Sequence, residues 1–252
     1  MSSFLAYYRR DDGQRFLLRQ ILGLIGGAVA LLALFGLTDL DRTVTRWFFD
    51  AARGTFPLTN DWWLKTLLHD AARTVTAVGA LALLGVTGTA WLAPRLACVH
   101  ARRHELAFVA AATFAAAAAV GMLKHFSTHA CPWAIVDFGG SVPYRHLFAV
   151  HGSLPPLDGC FPAGHPLVGY AWLCVGLVLY PASRRLAKIC TRTMFLIGTA
   201  LGFVQVLRGA HFVSHVLWSA WTSWAIAIAL LMLWRGYGLR TAPAAARVGA
   251  TS

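Results

Sequence analysis

Charge is what this sequence has least of. Only 13% of its 252 residues are Asp, Glu, Lys or Arg, against about 25% in a soluble domain. Hydrophobic residues make up 58%, and the mean hydropathy is +0.59. That balance excludes an ordinary water-soluble globule and predicts an integral membrane protein built as a single membrane domain over residues 1–252. Internal repeats and long low-complexity segments are missing. So are the marks of a cleaved leader: the charged stretch before the first apolar run is long, and Thr38-Asp39-Leu40-Asp41 after it offers no small-x-small site. The first run is therefore expected to stay as a helix. Acidic residues are too few to balance the basic ones, leaving a formal charge of +12. The basic residues lie scattered between apolar runs and form no groove-sized patch, so no nucleic-acid partner is expected.

What the chain does contain is long apolar runs. Six stand out, near residues 17–37, 74–92, 106–123, 167–180, 194–207 and 216–234. A spanning helix needs about 20 mostly apolar residues, so the expected fold is all-α, a polytopic bundle of six transmembrane helices, with the shorter fourth and fifth runs extended into flanking residues such as His165 and Arg208. The alanine run Ala115 to Ala119 allows close helix approach and predicts a central third helix. The tail after Arg240 reads as disordered. Six spans divide the loops into two sets. One set, with both termini, carries 14 Lys and Arg against Asp11, Asp12 and Glu105; the other carries 8 against 7 aspartates. Basic loops stay in the cytoplasm, so the long loops near 38–73 and 124–166 are expected outside, which in a bacterial inner membrane is the periplasm. Eight of the ten histidines fall on that side, His69 and His151 among them. Tyr144 and Arg145 also lie there and read as solvated loop or as headgroup contacts.

Three clusters sit at the outer helix ends. Lys124 closes the third helix and is followed by x6-Cys131-Pro132. Pro162-Ala163-Gly164-His165 opens the fourth. Arg208-Gly-Ala-His211-Phe-Val-Ser-His215 joins the fifth to the sixth. Cations neutralise phosphate oxygens; one imidazole can attack phosphorus while another protonates the leaving oxygen. Each piece also has a plain reading: His165 as a helix-entry cap, Lys124 as a snorkelling side chain, Arg208 as a partnered rim charge.

Order and spacing of these clusters resemble the type-2 phosphatidic acid phosphatase superfamily, whose pattern is K-x6-R-P, P-S-G-H and S-R-x5-H-x3-D. The resemblance covers the third to sixth helices and implies a catalytic core at about 105–235. It implies a lipid phosphate substrate held by Lys124, Arg208 and the Gly164 turn, attack by His211 to form phosphohistidine, and proton transfer by His165. No metal and no cofactor is implied; fixed cations and the N-terminus of the fourth helix would carry the anion's charge. Four positions depart from the pattern. Cys131 replaces an Arg, Ala163 a Ser, and Gln205 the Arg expected six residues before His211, with Arg208 on the same helix face. His215 replaces the orienting Asp; as a third catalytic residue, neutral His215 can accept the His211 N–H and hold its tautomer but supplies no negative charge, so either Asp70, Asp137 or Asp158 approaches or the chemistry is weaker than the family norm.

Other readings remain open at this point. A phosphohistidine intercepted by a lipid alcohol would make a phosphotransferase. The pairs His125-x3-His129 and His211-x3-His215 have metal-ligand spacing and raise a metal-dependent hydrolase, although no H-E-x-x-H is present. A transport or scaffold protein that lost the chemistry is a third; nearly charge-free helix centres argue against transport. Cys131 and Cys160 share the outer loop and are either buried thiols or, on an oxidising side, a disulfide of about 3–4 kcal/mol. The lipid's identity and the oligomeric state stay open.

Overall fold

The structure, a computed structural model, describes residues 3–146 and 159–240; His151, Asp158 and the tail beyond Arg240 lie outside them. The chain is 72% helix with no strand among the described residues. In order, the α-helices are α1 (Ser3–Tyr7), α2 (Asp11–Gly36), α3 (Leu40–Arg46), α4 (Ala72–Leu92), α5 (Ala97–His100), α6 (Arg103–His125), α7 (Leu167–Tyr170), α8 (Cys174–Leu179), α9 (Arg184–Leu207) and α10 (Val213–Arg240). A π-helical stretch, Trp63–Ala71, runs directly into α4.

Five helices are long and apolar enough to cross a membrane: α2, α4, α6, α9 and the Val213–Gly236 part of α10. They mark the chain as an integral membrane protein. The sixth expected span differs. The apolar stretch Leu167–Leu179 is shorter and is broken into α7 and α8 by turns in which Trp172 bonds Gly169, Leu173 bonds Tyr170 and Val175 bonds Trp172. These i→i−3 bonds tighten the backbone where it packs against α9. A Cβ on Gly169 would collide with the Gly198 nitrogen, and one on Gly198 would collide with the Tyr170 ring. The Tyr170 hydroxyl and Thr199 Oγ1 are 2.9 Å apart across this crossing.

Helix α10 sits at the centre, against α2, α6, α7 and α9, while α4 lies on α6. Half of the spanning window of α10 is buried, against 6% for α2 and for α4. Leu18, Leu22, Ile25 and Val29 of α2 face outward, as side chains solvated by lipid do. The indoles hold α2 in place by hydrogen bonds: Trp221 Nε1 to Leu24 O at 2.8 Å and Trp224 Nε1 to Gln20 Oε1 at 3.1 Å. At one end of the bundle Phe4, Tyr8, Leu17, Phe108 and Leu231 pack together. At the other end the connecting segments build a separate apolar cap from Phe56, Ala130, Ile135, Phe138 and Phe212. The chemistry-bearing residues lie beneath that cap.

Candidate active site

A cavity of about 500 Å³ opens where the start of α4, the end of α6, the turn before α7 and the α9–α10 junction meet. Its polar wall consists of Arg73, Lys124, Gly164, His165, Gln205 and His211, and its apolar wall includes Ala77 and Ala80 of α4, Phe114 and Ala117 of α6, and Ala171. Four residues singled out by sequence, Lys124, Gly164, His165 and His211, are thus brought to one space. Arg208 and His215 stand behind its wall.

The Pro162–His165 turn is held onto α10. Ala163 N donates to His215 O at 3.1 Å, and Ser219 Oγ donates to Ala163 O. A Cβ placed on Gly164 would meet no atom within 4 Å, so the glycine leaves its side of the cavity open. His165 Nε2 lies 3.0 Å from Leu68 O in the π-helical stretch; a carbonyl only accepts, so Nε2 carries the proton. The helix that follows has only four residues, Leu167–Tyr170. Its aligned dipoles are too few to present the helix N-terminus expected to face the anion.

The α9–α10 junction is a glycine-dependent turn. Gly209 has φ +71 in the left-handed region that favours glycine, and a Cβ there would collide with the Phe56 ring. Ala210 N and His211 N both return to Gln205 O, at 2.9 and 3.2 Å, which satisfies a carbonyl at the helix end. Arg208 is buried. Its Nε donates to Thr59 O at 3.1 Å and its Nη1 to Gln205 Oε1 at 3.0 Å. Burial lowers the Arg208 pKa, and the charge of Asp70 opposes that shift. With Oε1 taken by Arg208, Gln205 Nε2 is a buried donor without a hydrogen-bond partner, on a residue of the cavity wall. Such groups are rare in folded proteins, and this amide keeps its hydrogen-bonding capacity for what enters the cavity.

Behind the wall, Cys131 and Cys160 are joined in a disulfide. The sulfur of Cys160 lies 3.3 Å from His211 Nδ1. His215 is only 1% exposed, and the Cys160 backbone lies close enough to act on its imidazole. Its Nδ1 has no hydrogen-bond partner. Ligand atoms of Cys160, His211 and His215 lie within 4.8 Å of one another. A disulfide sulfur is not a thiolate, however, so the oxidised cluster lacks the anionic third ligand that a zinc site would use. Neither i, i+4 histidine pair lies on one helix: α6 ends at His125, before His129, and α10 begins at Val213, after His211. The spacing that raised a metal-dependent hydrolase is therefore not realised as a helical face.

Of the carboxylates considered from sequence, Asp137 pairs with Arg42 at 3.2 Å, and Asp70 acts on Arg208. The buried carboxylate beside the histidines is Asp41 of α3, which shares a small polar recess with His129 and His215. It accepts Ser214 N at 3.0 Å and the Ser214 hydroxyl, so it caps the first turn of α10 from another element. Burial pushes its pKa up to about 6 despite those bonds. Asp41, Thr59 and Arg73 were not singled out from sequence. All three come from residues 38–73, where no motif or periodicity flags them; the only signal was position, since they belong to the same outer set of loops as the clusters.

No curated protein and no solved structure matches the chain. The model of the PAP2 superfamily matches residues 105–238, a little over half of the sequence and the part that supplies Lys124, His165, Gln205 and His211. The chain belongs to the PAP2 superfamily.

Proposed function

We propose that the protein is a membrane phosphatase that hydrolyses a phosphomonoester or pyrophosphate of a membrane lipid. The observation that carries this reading is one cavity with two cations, two imidazoles and an unpartnered amide donor at its polar end, and alanine-lined helices below. Lys124 and Arg73 neutralise the phosphate, and Gln205 Nε2 donates to one of its oxygens. Arg208, bonded to Gln205 Oε1, orients that amide and lends its charge from behind. His211 Nε2 attacks phosphorus; the N–P bond forms as the P–O bond to the lipid breaks. His165, entering as the imidazolium with Nε2–H held on Leu68 O, gives its Nδ1 proton to the departing oxygen, then takes one at Nδ1 from the water that attacks phosphohistidine, and the His211 lone pair returns to the ring.

The apolar walls support a lipid in place of a soluble ester. Between Lys124 and Thr113, both at the cavity, α6 rises about 16 Å, room for the upper part of a hydrocarbon tail between α4 and α6. The basic loops at the opposite end of the bundle support an extracytoplasmic site.

Purified protein presented with diacyl phosphatidate, polyprenyl diphosphate and lipid A-type phosphates, after thorough chelation, tests the reading. Phosphate release from at least one of them is expected. Absence of release from every lipid, or activity that returns only with added metal, overturns it. Within this scheme, Arg73→Ala and Gln205→Leu should each lower kcat/KM by about tenfold or more, the scale of a lost charge-assisted or buried hydrogen bond. Steady-state kinetics within about twofold of wild type would remove the residue concerned from the phosphate site.

A further inference from the structure

In the superfamily pattern an orienting Asp stands where this chain has His215. We infer that the Cys131–Cys160 disulfide orients His211 instead, with Cys160 Sγ accepting the Nδ1–H and holding the imidazole with its Nε2 lone pair available for attack. The inference rests on the reading of His211 as nucleophile, and it makes Cys160 a positioning residue.

Four observations meet here. His211 Nδ1 is 3.3 Å from Cys160 Sγ, within reach of an N–H···S hydrogen bond. Cys160 is fully buried and His211 is 8% exposed, so water competes little for Nδ1. A disulfide sulfur carries no proton and can only accept, so the Nδ1 side of this contact must be the donor. For the same reason no hydrogen bond joins that sulfur to Ala210 O, 3.1 Å away.

The acceptor is held on both sides. Cys160 N donates to His129 O at 3.0 Å, and the His215 imidazole lies against the Cys160 backbone. His215 thus packs on the residue whose sulfur contacts the nucleophile. The covalent link to Cys131 anchors the same sulfur to the end of the Lys124 segment. Replacement of an Arg by Cys131 and of an Asp by His215 then become two halves of one change, a neutral acceptor clamped in place where the superfamily pattern has a carboxylate.

A redox consequence follows. Thiol–disulfide exchange with a dithiol reductant breaks the S–S bond, puts a proton on each sulfur and oxidises the reductant to its own disulfide. Cys160 then has an S–H that can donate to Nδ1. That moves the imidazole proton to Nε2 and takes away the attacking lone pair. The oxidised form is the active one.

The test compares oxidised protein, dithiothreitol-treated protein, Cys131→Ala/Cys160→Ala and Cys131→Ala/Cys160→Asp, with nitrogen-15 NMR of His211 and lipid phosphatase kinetics. In the oxidised protein the neutral His211 ring should carry its proton on Nδ1, and reduction should shift the tautomer ratio toward Nε2–H. Reduction and the double alanine variant should each lower kcat about tenfold or more with KM nearly unchanged. The aspartate variant has no tether but regains an acceptor, and should recover most of the lost kcat. A role of the disulfide in tethering alone predicts no such recovery. An Nε2–H tautomer in the oxidised protein overturns the inference, as does a double alanine variant with wild-type kcat or a folded aspartate variant no better than the alanine one. The NMR result stands even if the lipid assay fails, so the two failures are distinguishable.

Discussion

His211→Ala is expected to reduce lipid phosphate hydrolysis by at least about a thousandfold, because on the proposed mechanism it removes the nucleophile, deletes the covalent step and leaves only binding and electrostatics. The fold should persist. The connection made by residue 211 to α9 is through its backbone nitrogen, which bonds Gln205 O at 3.2 Å, and alanine keeps that bond. Its neighbour Gly209, with φ +71, is untouched. Gel filtration and protease resistance in detergent check the fold, and phosphate release checks the chemistry. Wild-type protein quenched in alkali during turnover should carry an acid-labile phosphate that the variant lacks. A variant that keeps more than about a tenth of wild-type activity would place the nucleophile elsewhere.

The second large effect is expected at His165 and depends on the leaving group. Proton donation is worth about a hundred- to ten-thousandfold when the departing oxygen is a poor leaving group. His165→Gln should lose that much on an alkyl phosphate such as phosphatidate. An aryl phosphate with an acidic phenol needs little protonation to depart, so its first step should be largely spared. Water activation would still be impaired, so phosphohistidine should accumulate and the first turnover should appear as a burst. Glutamine is chosen because its amide nitrogen lies at the reach of Nε2 and can still donate to Leu68 O, the contact that His165 Nε2 makes at 3.0 Å. Equal losses on both substrates, with no burst, would show that His165 does not transfer the proton.

Much of this site was legible in the sequence because its pieces are local. Apolar runs marked the helices, and short polar motifs at their ends marked Lys124, Gly164, His165 and His211, which the fold brings to one cavity. What was not legible depends on contacts between segments distant in the chain. The direction of the Arg208 side chain is set by Thr59, a loop residue 149 positions away. Asp41 becomes a cap only because α3 lies beside the first turn of α10. Arg73 reaches the cavity because the π-helical stretch leads α4 to the same end of the bundle. The break at α7 and α8 escaped for another reason: hydropathy responds to composition, and tight packing of Gly169 and Tyr170 on Gly198 changes the backbone without changing the apolar content.

That break sets a depth. Helical rise over Leu167–Leu179 amounts to about 20 Å, whereas a hydrocarbon core is about 30 Å thick. On the proposed reading, with Arg184 and Arg185 at the cytoplasmic surface, the shortfall of about 10 Å falls at the His165 turn. The reactive floor is then a well sunk beneath the plane of the surrounding phosphates. A substrate must descend into it, shedding some of its hydration, before bond breaking begins. Small terminal phosphates make that descent cheaply, and bulky zwitterionic diesters do not, so vertical reach becomes a filter that acts before any side chain is touched.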